Sequence, residues 1–420
     1  MPPERNSVSS VARCIAFAAL LALLHLPSLA APPDLPAGTE ISAIIQQLSS
    51  ISSLRSRGSV RFEAISKPDL ARYLEQRIEE ETRPQDLADE ELTLKLFGFV
   101  PADFRLKEAA LSLLAEQAAA FYDFRSKRMY LSEWARDRLR DLSVIHELAH
   151  ALADQNFNLQ KFIRKAKGDS DETQAREAVI EGQAAYLSEA YSRGREGASA
   201  TPLSLDPDSL DRALRSSGGN FPVFDRAPLY LRTSLVFPYT AGALFQAAAV
   251  ERFGRQGYAE VFRHPPVSTA QVLHPEAWFE HRLPLRPRLP EKPHGSRVVL
   301  EGTLGELEHF VLLRQYVSLA ASRSLAPKWR GGRYEIVRWK KYENPGLVYV
   351  SEWSDGDAAR QFFAAYRACL RGKSKAFDIQ SENETMDLGE TDRGYFRLRL
   401  NGAILTAEEN FPSPFVATPK

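Results

Sequence analysis

The sequence predicts an α+β fold: a mainly helical core with a β-hairpin beside its central helix, then a smaller C-terminal α+β domain. Three observations carry this. Apolar residues recur at helical spacing (Leu139, Leu142, Ile145, Ala149, Leu152) in a stretch running from Ser132-Glu133 through Asp154. Just upstream, residues 119–131 place two aromatic clusters, Ala120-Phe121-Tyr122 and Met129-Tyr130-Leu131, around a mostly polar turn, the pattern of a hairpin or hooked edge strand. Leu283 to Pro293 carries four prolines, which suits a stiff linker at 282–294 before a separate unit at 295–420.

The elements follow in order. Residues 31–118 form a helix-and-strand region: Val60–Ala64 alternates like a strand, Lys67-Pro68-Asp69 opens a helix through Glu80, and Leu92–Phe97 and Lys107–Ala118 are further helix candidates. The core is expected over 119–281. Within it, a polar loop (Asn156–Ser170) follows the central helix, and a second long helix spans Asp171–Ser192. Residues 200–235 read as loop, and a third helix starts near Tyr239 and ends before Gly254. In the C-terminal part, Tyr334–Trp339, Leu347–Trp353 and Tyr395–Leu400 read as strands and Ala358–Leu370 as a helix; Trp329–Tyr334 reads as a turn leading into a strand.

Composition narrows the class. In 420 residues, 44% are hydrophobic and 26% charged, which fits packed cores and argues against disorder. Lys+Arg and Asp+Glu both number 54, so no basic excess points to nucleic acid. Arg5, Arg13 and the apolar run Cys14–Leu24 resemble a secretory signal over residues 1–30, with cleavage after Ala30 in Ser28-Leu29-Ala30. His25 and Pro27 stop the apolar run short of the roughly 20 residues a bilayer span needs. The expectation is an exported protein, periplasmic or extracellular, with no stable membrane span after cleavage. Losing Cys14 would leave only Cys369, so no intramolecular disulfide is expected.

The chemistry centres on Ile145-His146-Glu147-Leu148-Ala149-His150, an H-E-x-x-H motif on the central helix. Residues four apart on a helix point the same way, so both imidazoles can reach one zinc ion at about 2.0–2.1 Å. Glu147 can then act as general base, taking a proton from a water activated by the metal. A catalytic zinc needs a third protein ligand. Glu181 is that candidate. Ala178, Gly182 and Ala185 around it permit close helix packing, and Glu177 is a substitute or supporting group.

The chain resembles gluzincin-type predicted metallopeptidases in H-E-x-x-H-A-L (His146–Leu152), the following Asp154-Gln155 and E-G-x-A at Glu181–Ala184. It also resembles them in the upstream aromatic strand and, more weakly, in Phe237–Gly242, Pro265–Thr269 and Gln271–Pro275. That resemblance covers roughly 95–280 and implies a zincin-like core with Zn2+ as cofactor. Ala120 and Phe124 stand where a Gly and a Pro are expected. Position 185 is Ala where the best-known gluzincins carry the Asp that buttresses a His ligand, a role that falls to Asp154 or Glu177 if it is kept.

Tyr239 and His274 are candidates to stabilise a developing oxyanion. Phe121 and Tyr122 lie on a strand whose main chain could pair with an extended peptide substrate. His264, His281, His294 and His309 lack metal-binding spacing and are expected at the surface, while Trp339, Trp353, Phe362, Phe363 and Tyr366 read as core. The expected function is a zinc metallopeptidase acting on a peptide or protein. The alternative is an inactive zinc-containing module that binds peptides or cell-envelope components.

Overall fold

The computed structural model describes residues 38–117, 120–133, 137–166, 169–195, 210, 212, 214 and 221–415. The signal segment, its cleavage point after Ala30 and Cys14 lie outside the described residues, as do the side chains of Leu139 and Leu142. The fold is α+β, with a helical N-terminal part and a C-terminal sheet.

Helix α1 (Gly38–Ser52) precedes strand β1 (Arg61–Ile65) and helix α2 (Lys67–Glu81). Helix α2 starts where Ser66 accepts from the Asp69 N–H and Pro68 occupies the first turn. Helix α3 (Pro84–Phe97) begins earlier than the expected Leu92 and stops at Gly98, which takes the left-handed φ of 79°. Helix α4 (Leu106–Gln117) leads into β2 (Ala120–Asp123) and β3 (Arg128–Ser132). These two strands form the hairpin, and β1 joins β3 in parallel, giving the order β1-β3-β2. Strand β2 is therefore an edge, and it lies against the central helix α5 (Asp137–Phe157).

The expected loop at 156–170 contains a short helix α6 (Leu159–Arg164), capped by the Asn158 side chain. Its Leu159, Phe162 and Ile163 are buried, and six residues are too few to display a period. Helix α7 (Ser170–Arg195) then runs through Glu177 and Glu181.

A short helix α8 (Pro222–Arg226) and the long α9 (Leu229–Phe253) occupy sequence expected to be loop up to residue 235. Tyr239 is consequently mid-helix rather than at a helix start. The helix runs through Pro238, a residue that usually breaks one, with Leu235, Val236, Phe237 and Tyr239 all buried. Tertiary burial outweighs the local cost.

Helices α7 and α9 cross at glycine. A Cβ on Gly182 would lie 2.1 Å from the Gly242 carbonyl carbon, and one on Gly242 would lie 2.2 Å from the Ala178 oxygen. Only glycine permits this approach. Leu229–Arg263 holds an 18-residue stretch that by length and composition could cross a membrane, and 72% of that stretch is buried inside the protein. Helices α10 (Gly257–Arg263), α11 (Thr269–Leu273) and α12 (Pro275–Phe279) complete this half.

The C-terminal part is a seven-stranded antiparallel sheet of β4 (Ser296–Thr303), β5 (Trp329–Trp339), β6 (Tyr342–Trp353), β7 (Phe377–Glu382), β8 (Met386–Thr391), β9 (Gly394–Asn401) and β10 (Ile404–Phe411). Its order is β4-β5-β6-β10-β9-β8-β7. Helices α13 (Glu306–Tyr316), α14 (Leu319–Leu325) and α15 (Gly356–Lys373) accompany it. Helix α15 buries Phe362, Phe363, Tyr366 and Cys369, and Cys369 is a free thiol.

This sheet does not pack alone. Phe97 of α3 sits edge-on to Tyr334 (5.3 Å) and Tyr349 (5.5 Å), and a single apolar core joins them to α9. The proline-rich connection is tied down as well, by Leu285 N–H to the Arg330 carbonyl at 2.7 Å.

His309, expected at the surface, is fully buried. Its Nδ1 donates to the Gly305 carbonyl at 2.6 Å and its Nε2 accepts from the Tyr349 hydroxyl. A lone histidine carries no sequence mark of that packing.

Candidate metal centre

Helix α5 carries His146, Glu147 and His150 on its buried face, at 0%, 2% and 3% exposure. One ligand atom from each lies within 4.8 Å of the others. The imidazoles meet edge-on, with ring centroids 4.5 Å apart.

Helix α7 brings Glu181 into the same space. One Glu181 oxygen, Oε2, lies 3.1 Å from His146 Nε2 and 3.1 Å from His150 Nε2. The glycine crossing with α9 sets the depth at which α7 sits, so Gly182 positions its neighbour Glu181. The sequence-predicted set His146, Glu147, His150 and Glu181 is thus gathered in one place.

These atoms suit a divalent cation. Donors about 2.0–2.1 Å from a tetrahedral zinc lie roughly 3.3–3.4 Å from one another, close to the two 3.1 Å separations. Ligation needs neutral imidazole and ionised carboxylate. Burial, and then the neighbouring His150, lowers His146 to about 4. Burial raises the Glu181 carboxyl, but the two imidazoles outweigh it and bring the group down to about 2. Burial also pulls His150 down, yet the Glu181, Glu147 and Asp154 carboxylates leave it above the usual value. Burial pushes Glu147 up to about 8, with Glu181 adding to the rise. Nearby cationic charge reverses such a shift.

Strand β2 reaches the site through its backbone. The Tyr122 N–H donates to Glu147 Oε2 at 2.6 Å, leaving Oε1 without a partner. No side-chain pattern could reveal this donor. The same bond uses an edge N–H that was a candidate for pairing with substrate. Phe121 points to the opposite face of β2, stacking on Tyr130 at 4.9 Å in a small separate cluster, so its side chain is not part of the site.

Asp154 does not buttress a histidine. It accepts from Tyr122 Oη (3.1 Å), Lys127 Nζ (2.5 Å) and the Leu159 N–H (2.9 Å), clamping the hairpin to the end of α5 and starting α6. His146 Nδ1 and His150 Nδ1 have no partner. Glu177 is buried one turn before Glu181.

Tyr239 stacks on His146, with ring centroids 5.7 Å apart and planes at 24°. It belongs to the site as a wall of the His146 ring. His274 is engaged elsewhere: its Nε2 pairs with Glu306 at 2.8 Å in a pocket it shares with Arg282, Trp329 and Arg330. The residues around His274 gave no hint of that acidic partner, which lies 32 positions further along the chain on α13.

Comparison with known proteins reaches a different part of the chain. Residues 296–413, the C-terminal sheet, match a domain of unknown function (DUF8575). No curated protein and no solved structure matches the chain.

Proposed function

We propose that the protein is a zinc-dependent peptidase. The observation that carries this reading is the convergence of two buried imidazole nitrogens on one carboxylate oxygen, with Glu147 beside them. His146, His150 and Glu181 would hold the metal. When bound, zinc supplies Lewis acidity, polarising a carbonyl and acidifying water.

The remaining steps belong to the chain. Glu147 takes a proton from the attacking water at its unpaired Oε1 and returns it to the leaving amine. The Tyr122 N–H fixes Glu147 through Oε2, so one oxygen is anchored while the other works. Tyr239 holds the His146 ring plane. The residue range 1–30 supports export as a further part of the proposal, to the periplasm or outside the cell.

The test is Glu147→Gln, assayed on a casein or mixed-peptide substrate alongside metal analysis. Expected is a fall in hydrolysis of at least about 100-fold with zinc retained. A wild type that holds zinc but cleaves nothing would favour the alternative, a module that binds peptides or cell-envelope components. Equal hydrolysis in both forms would overturn the role of Glu147.

A further inference from the structure

A second cleft, of about 620 Å³, lies where the end of α3 and the start of α9 meet the sheet domain. Four cations line it, Lys95, Arg226, Lys373 and Arg393, and no Asp or Glu does. Two of the four are neutralised from behind: Lys95 by Glu91 at 2.6 Å and Lys373 by Glu409 at 2.7 Å. Arg226 and Arg393 take part in no ion pair among the described residues; Arg393 is half-buried and Arg226 is exposed at the edge of the cleft.

Three backbone carbonyls at the end of α3 are already used. The Gly98 carbonyl takes both Gln315 Nε2 (2.9 Å) and Tyr316 Oη (2.5 Å), and the Leu96 carbonyl takes Lys373 Nζ (2.9 Å). Arg393 spends one N–H on the Lys95 carbonyl at 3.5 Å. Both guanidinium groups therefore keep most of their donors. The geometry is fixed by glycine: a Cβ on Gly372 would lie 2.4 Å from the Tyr316 ring. Apolar walls come from Phe99, Val100 and Leu229.

We propose that this cleft binds a small oxyanion, a carboxylate or phosphate head on an apolar body, with Arg226 and Arg393 as its two forks. Guanidinium matches both heads by paired N–H···O bonds, and each charge-assisted bond strengthens as water is excluded. The site is separate from the His146 cluster and stands whether or not that cluster hydrolyses peptides.

Titration calorimetry on the full chain tests this, with inorganic phosphate and butyrate as probes against sodium chloride at matched ionic strength. Saturable binding of at least one probe is expected, weakened about tenfold or more in Arg226→Gln and in Arg393→Gln. Arg226→Lys, which keeps the charge but loses the fork, should fall between. Arg72→Gln, a variant of an exposed arginine on α2, should match the wild type. Phosphate binding alone assigns a phosphorylated ligand, and butyrate binding alone a carboxylate. No saturable binding of either probe, or equal binding in all variants, overturns the proposal. Thermal melts of each variant separate a folding defect from a binding one.

Discussion

Two buried histidines, His309 in the sheet domain and His146 in the helical half, are both brought down to about 4 by burial. Their surroundings differ. His309 has each nitrogen matched, Nδ1 to the Gly305 carbonyl and Nε2 to the Tyr349 hydroxyl. Among the described residues, His146 and His150 share the Glu181 carboxylate as their polar contact, and the Nδ1 atoms of both rings have no partner. Burying a polar group is costly unless it is paired. Satisfied groups such as His309 hold a fold together. Groups that converge on one point without being satisfied mark a place prepared for something else. The comparison separates structure from site without reference to family.

Breaking the helical half should have the largest effect. Gly182→Val puts side-chain carbon where the Gly242 backbone already lies. The expected cost is about 3 kcal/mol or more, read as a drop in melting temperature, together with loss of any bound metal as Glu181 is pushed away. A variant as stable as the wild type would mean that α7 and α9 do not cross this closely.

His309 sharpens the other side through pH. Its folded value of about 4 lies below the usual 6.5, so in that window the unfolded chain binds the extra proton. The contribution to stability is therefore complete above pH 6.5 and lost as pH falls toward 4. It amounts to about 3 kcal/mol at most. Urea melts of wild type and His309→Gln should converge as pH drops across this range. Parallel curves would show that His309 titrates normally.

A smaller effect is expected at the hairpin. Asp154→Ala removes the acceptor for Tyr122, Lys127 and Leu159. A loss of about 1–3 kcal/mol follows from the buried donors left unmet, with faster amide exchange in β2 and β3. Unchanged exchange there would contradict the clamp.

The sequence made some of this legible and concealed the rest for physical reasons. The central helix showed through its apolar spacing, and the hairpin through its two aromatic clusters. The glycine-flanked Glu181 stood out because small residues mark close helix contact. Helix α9 was expected to start only near Tyr239, since local preference is all a sequence displays and the burial of Leu231, Leu235 and Phe237 is not. Strands β7 and β10 were missed because charge masks them. Strand β7 is mostly exposed, and β10 buries Glu408 and Glu409 by pairing them with Arg397, Lys373 and Tyr366. At the site, the four convergent side chains were found. The Tyr122 backbone donor, the Glu306 partner of His274 and the clamp at Asp154 were not, because each depends on which elements meet in space.

The most direct test of the central claim is the metal content of the purified protein beside His150→Ala and Glu181→Ala, measured by mass spectrometry of the elements. The account predicts about one zinc per chain in the wild type, lost from both variants while their folded signal persists. A wild type that takes up no zinc on reconstitution, or a Glu181→Ala variant that keeps it fully, would contradict the assignment of His146, His150 and Glu181 as its ligands.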